Sequence, residues 1–93
     1  MDVKEAAKLA KEYVADLFAE EGIDNVGLEE IELGDDRRFW EVTVGFSRPW
    51  DHGGLATTIV GQTGLRRSYK VLRIDNSSGN VASVRDRILQ EAK

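Results

Sequence analysis

Few side chains in this sequence are equipped for chemistry, and most lie in one stretch. The only histidine, His52, follows Asp51 within Arg48-Pro49-Trp50-Asp51-His52-Gly53-Gly54. A carboxylate beside an imidazole suits general acid–base work, but sequence neighbours seldom point at each other. With no cysteine anywhere, disulfides, thiolate metal sites and cysteine nucleophiles are excluded. One histidine and scattered carboxylates give no recognised metal-ligand spacing. His52 therefore reads as an exposed loop residue, with an enzymatic or small-ligand pocket having Asp51 and His52 at its mouth as the lesser alternative. No catalytic residue, metal or cofactor is expected.

A second group is Arg66, Arg67, Lys70 and Arg73, with Tyr69 interleaved. Such a run could serve phosphates, an acidic partner or stacked RNA bases. It better suits edge-strand charges that discourage aggregation, or pairing with the acidic helix or with Glu41 across a sheet. Asp75-x-Ser77-x-Gly79 has the opening spacing of a calcium loop, but the sixth position is Asn80 where glycine is required. Asn76-Ser77-Ser78 fits a glycosylation sequon, which is idle without secretion.

The elements that must position these residues form one domain over 1–93. The 93 residues include 13 Lys+Arg and 17 Asp+Glu, for a net charge of −4. Charge is uneven along the chain: 12 acidic and 3 basic side chains lie in 1–36, against 5 and 10 in 37–93. This asymmetry suits two halves that pack together and partly neutralise each other. With a pI near 5.0, nucleic acid is not an expected partner. The N-terminal stretch lacks the basic region and apolar run of an export signal, and no window approaches about 18 apolar residues. A cytoplasmic location without membrane contact is the expectation.

Val3, Ala6, Ala7, Ala10, Tyr13, Val14, Leu17 and Phe18 recur at the spacing of one helix face. Asp2 and Glu5 form a capping-box pattern, and Gly22 suits a helix C-terminus, predicting a helix over 3–21. A strand follows over 23–33, but its apolar phase changes between Val26/Leu28 and Ile31/Leu33, which requires a bulge or bend. Gly34-Asp35-Asp36 supplies a turn. Trp40, Val42, Val44 and Phe46 alternate with polar or small residues as a half-buried strand. Tyr69–Ile74 and Val81–Val84 predict two more strands, joined by a turn at 75–80. The tail from Arg85 predicts one or two helical turns, with Val84, Ile88 and Leu89 on one side. The glycine- and proline-containing segment 48–65 predicts a long, mobile loop between the second and third strands. The fold class is α+β: one helix covering one face of an antiparallel meander of about four strands.

These features resemble the small PepSY-like domain, a cystatin-like roll. The matching features are Ala6, Ala7 and Ala10 on the helix, the Val26–Leu33 strand and Trp40-Glu41-Val42-x-Val44. They end with the hairpin Tyr69-Lys70-Val71-Leu72-Arg73-Ile74-Asp75-x-x-Ser78-Gly79-x-Val81. The resemblance implies a binding or inhibitory module, often found beside peptidases or in cell-envelope proteins, with no catalytic residues.

Strand parity adds one inference. If Leu72 and Ile74 face the helix, then Tyr69, Val71 and Arg73 face away, beside Thr43, on a sheet surface bearing exposed apolar residues. The expected function is protein binding or regulation through this face and the Trp50 loop. Trp50 and Tyr69 are the expected anchors, with Arg48 and Arg66 at a polar rim and Val71 and Arg67 as further candidate contact residues. The partner is another protein, or a second copy in a homo-oligomeric assembly component.

Overall fold

A computed structural model describes residues 1–49 and 67–87. Helix α1 spans Val3–Leu17, and the expected capping box is in place. The Glu5 amide donates to Asp2 Oδ1 at 2.8 Å, and the Asp2 amide donates to Glu5 Oε1 at 2.9 Å. The helix does not continue to residue 21. Phe18 leaves helical geometry (φ −104°, ψ 19°), and Ala19–Glu21 tighten into a 3₁₀ turn. Gly22 closes that turn at φ 66°, a conformation that costs glycine little. The Phe18 ring meets Phe46 with centroids 5.3 Å apart.

Strands β1 (Asp24–Leu33), β2 (Phe39–Ser47), β3 (Ser68–Asp75) and β4 (Val81–Asp86) form one antiparallel sheet. Spatial order equals chain order, so each strand pairs with its sequence neighbour and β1 and β4 are the edges. Among the described residues the protein is α+β, one α-helix on a four-stranded meander. The basic run therefore does not lie on an edge: β3 is an inner strand.

The phase change in β1 has a physical origin. Its register against β2 shifts twice, between Asp24 and Gly27 and between Leu28 and Glu30. Asn25 takes the left-handed conformation at φ 57° in the first shift, and Glu29 is the extra residue in the second. Val26, Ile31 and Leu33 can thereby all pack against the core, while Leu28 is left 41% exposed.

The core lies between α1 and the sheet. Ala6, Ala10 and Val14 meet Val42, Val44, Phe46, Leu72 and Ile74, all fully buried. The two alanines let the helix approach the sheet closely. Burying each large apolar side chain contributes roughly 1.5–3 kcal/mol. Trp40 closes the far end, its indole N–H donating to Asn76 Oδ1 at 2.8 Å. Asn76 in turn donates to the Arg37 carbonyl at 3.0 Å, tying the β3–β4 turn to the β1–β2 turn.

The tail differs from expectation. β4 runs on through Asp86, so no helix begins at Arg85. A strand whose outward residues are charged needs no apolar alternation beyond Val84 to stay paired with β3. Ile88 and Leu89 lie outside the described residues, as does most of the 48–65 loop. Among the described residues, no helix is long and apolar enough to cross a membrane.

Candidate functional site

Because successive strand residues point to opposite sides, burial of Val42, Val44, Leu72 and Ile74 under α1 turns their neighbours outward. The ladder sets those neighbours in three rows across the sheet. One reads Glu32, Glu41, Arg73, Ser83; the next reads Glu30, Thr43, Val71, Arg85. The third holds Gly45 and Tyr69, with the Arg87 amide donating to the Tyr69 carbonyl at 3.0 Å. The rows enclose an open groove of about 540 Å³ on the side away from the helix.

Charge is sorted by strand. The carboxylates Glu29, Glu30, Glu32 and Glu41 stand on β1 and β2. The guanidiniums of Arg73, Arg85 and Arg87 stand on or beside β3 and β4, with Arg67 just before β3. Part of the charge asymmetry of the sequence, Glu29, Glu30 and Glu32 against Arg67, Arg73, Arg85 and Arg87, is thus laid out across one surface. Two ion pairs join its halves: Arg67 Nη2 to Glu29 Oε2 at 3.1 Å, and Arg87 Nη1 to Glu30 Oε1 at 2.5 Å. Arg87 Nη1 also donates to the Thr43 hydroxyl at 3.3 Å. The face is consequently charged where an exposed apolar surface was expected. Thr43 is only 5% exposed, and Tyr69 and Val71 are half-buried.

Gly45 is the floor beneath the first of these pairs. A Cβ there would lie 2.7 Å from Glu29 Oε2, 2.9 Å from Arg67 Nη2 and 3.1 Å from Tyr69 Cε1. Glycine in mid-strand marks close approach, and here it lets an ion pair and an aromatic ring settle against the backbone. At the other end, Arg73 lies over the Phe39 ring, 4.1 Å from its centroid.

Of the expected contact residues, the structure brings Tyr69, Val71 and Arg67 together on this face. Arg48 is not on it. Its Nε meets Glu21 Oε1 at 2.8 Å, its Nη1 donates to Ser68 Oγ at 3.0 Å, and its guanidinium lies 5.1 Å from the Phe46 ring centroid. With a side chain only 18% exposed, Arg48 braces the helix side of the sheet. Lys70 joins it there, over the Phe18 ring and paired with Asp86. That hydrogen bond from Lys70 holds the Asp86 carboxyl below its ordinary range. Trp50, Asp51, His52 and Arg66 lie outside the described residues.

Sequence reasoning missed Glu29, Glu30, Glu32, Arg85 and Arg87. The signal for the glutamates was present: once a bulge is required, Ile31 and Leu33 inward place Glu30 and Glu32 outward. The alternation Ser83, Arg85, Arg87 carried the same information for β4.

Asp75 belongs to a turn, not to a cation loop. Its Oδ1 accepts from the Ser77 and Ser78 amides at 2.8 and 2.9 Å, which leaves that oxygen committed to the backbone. The Ser78 amide, then the Ser77 amide, hold its carboxyl below the ordinary range. Among the described residues, no three acidic or histidine side chains converge to hold a metal ion. No protein-family model, curated protein or solved structure matches the chain.

Proposed function

We propose that this chain is a non-catalytic protein-binding module whose contact surface is the sheet face opposite α1. One observation carries the reading: a groove floored by Thr43 and the half-buried Val71, with Tyr69 at its end, is flanked by opposite charges, and α1 packs on the other side. Apolar area at the centre with charged residues around it is how specific contact surfaces are arranged. The charges fix register and orientation more than they add affinity. The binding role implied by the PepSY-like resemblance agrees with this assignment. β2 ends and β3 begins beside Gly45 and Tyr69, and Trp50, in the sequence between them and outside the described residues, extends the proposal as a second anchor.

The test is capture from native lysate, comparing wild type with Val71→Asp and Trp50→Ala after circular dichroism has shown both variants folded. A partner held by wild type and lost by Val71→Asp supports the face as the contact surface. A partner held equally by both overturns it.

A further inference from the structure

We infer that the occupant of the open face is a second copy of this chain, packed sheet to sheet about a two-fold axis running parallel to the strands between β2 and β3. The inference rests on the open-face reading above and names the partner for that face.

The argument starts from the sorting of charge. Two identical faces can meet about an in-plane two-fold in two simple ways. An axis across the strands would lay β1 on β1 and so carboxylate on carboxylate. An axis along the strands lays β1 of one copy over β4 of the other. Acidic halves then meet basic halves while each row stays level with itself. Glu41 comes opposite Arg73 of the second copy, Glu30 opposite its Arg85, and Thr43 opposite its Val71. A two-fold contact makes every such pairing twice. The face is self-complementary in this orientation only.

Two further observations agree. Among the described residues, Glu32, Glu41, Arg73 and Arg85 take part in no ion pair, so the Glu41–Arg73 pairing between copies breaks none within a copy, while Glu30 would share its carboxylate between Arg87 of its own copy and Arg85 of the second. Association along the sheet edges is hindered as well. β1 carries two register shifts, and β4 is out of step with β3 between Arg73 and Ile74. Bulged edges are poor templates for strand addition, whereas faces pack at about 10 Å with strands nearly aligned. The footprint is small. Four strands at about 4.8 Å and six residues at about 3.3 Å give roughly 20 Å by 20 Å. A contact of that size belongs to the weak, concentration-dependent class rather than to obligate dimers.

Sedimentation equilibrium from about 1 μM to about 1 mM covers the affinities such a contact reaches. Wild type should show a monomer–dimer equilibrium, weakened at least about tenfold between 0.01 M and 1 M salt as screening shortens from about 30 to about 3 Å. Glu41→Arg and Arg73→Glu alone should each be monomeric, since each sets like charges opposite one another twice. Mixed, the two variants should form a heterodimer, because positions 41 and 73 then oppose each other with unlike charge in both pairings. Circular dichroism on each variant separates loss of association from loss of fold. Wild type monomeric throughout, or a dimer indifferent to both reversals, overturns the inference. If the dimer fails while Val71→Asp still abolishes capture of another protein, the open-face reading stands without it. If neither association nor capture responds to changes on this face, both fall.

Discussion

Arg87 reaches from the end of β4 across two strands to Glu30 on β1, Nη1 to Oε1 at 2.5 Å, and touches the Thr43 hydroxyl on the way. It is a tie between the two edges of the sheet, laid over its open face. Both side chains remain 40% or more exposed, so water and salt screen the pair. Arg87→Ala should therefore cost no more than about 1 kcal/mol in urea unfolding. Its larger effect should be on the surface, where removing the guanidinium uncovers Thr43, the ladder partner of Val71. Amide exchange at Thr43 and Val71, compared between variant and wild type, reads that difference directly.

Gly45 makes the opposite case, a residue without a side chain on which others depend. Gly45→Ala drives a methyl group into Glu29, Arg67 and the Tyr69 ring. The two charged ends can move aside, but the ring is held by its own strand. A loss of about 1–3 kcal/mol is expected, as for overpacking elsewhere. Chemical denaturation measures it. A loss below about 0.5 kcal/mol, under the usual range for overpacking, would show that the ring shifts freely.

Acid should weaken the fold through Asp75 and Asp86. Both carboxyls are held below their ordinary value, Asp75 by the Ser78 and Ser77 amides and Asp86 by Lys70. A carboxyl lowered in the folded state contributes stability above its unfolded pKa and loses it as pH falls through the folded value. The loss therefore begins as pH drops below about 4. Asp75→Asn keeps an oxygen acceptor for the turn but cannot titrate. Urea midpoints at about pH 5 and about pH 3, either side of the ordinary carboxyl value, should differ less in this variant than in wild type.

Trp40→Phe tests the link between the two turns. The ring stays buried, while the hydrogen bond to Asn76 Oδ1 is lost. The expected cost is about 1 kcal/mol for the hydrogen bond, with a further loss from the smaller ring. Asn76→Ala in the Trp40→Phe background should then cost less than Asn76→Ala alone, and the double-mutant cycle isolates the coupling.

Arg37 sits at φ 61° in the β1–β2 turn, where a long side chain is strained and asparagine is at home. Arg37→Asn should stabilise by up to about 1 kcal/mol and raise the melting temperature by about 4–8 °C at this chain size. An unchanged melting temperature would mean that the turn relaxes to hold arginine without strain.

Much of this architecture was legible because one sheet face is buried. Trp40, Val42, Val44 and Phe46 can alternate only if a core lies on one side, and Leu72 and Ile74 fix the parity of β3 in the same way. That parity placed Tyr69, Val71 and Arg73 on the open face from sequence alone. β1 was harder, since its phase change showed that a bulge must exist without showing that Glu29 was the extra residue. The helix end was hidden because Phe18 continues the apolar spacing while its backbone departs from it. Arg85-Asp86-Arg87 has no apolar residue to carry a period, so the end of β4 left only a charge pattern. Arg48 was misplaced for a related reason. Its partners Glu21 and Ser68 are remote in sequence, and no local rule points to them.

The meander has a consequence for how this chain acquires its structure. Ala6, Ala10 and Val14 belong to α1, yet they share one cluster with Leu72 and Ile74 of β3. A chain extended only as far as Ser47 holds the sequence of α1 and the β1–β2 hairpin, but the helix stripe lacks the part of its cover that Leu72 and Ile74 supply. A nascent polypeptide would carry that stripe, together with an unpaired β2 margin, until Leu72 and Ile74 arrive. During that interval β2, the most apolar strand, is open to other unfinished chains, and the vulnerability closes when β3 docks.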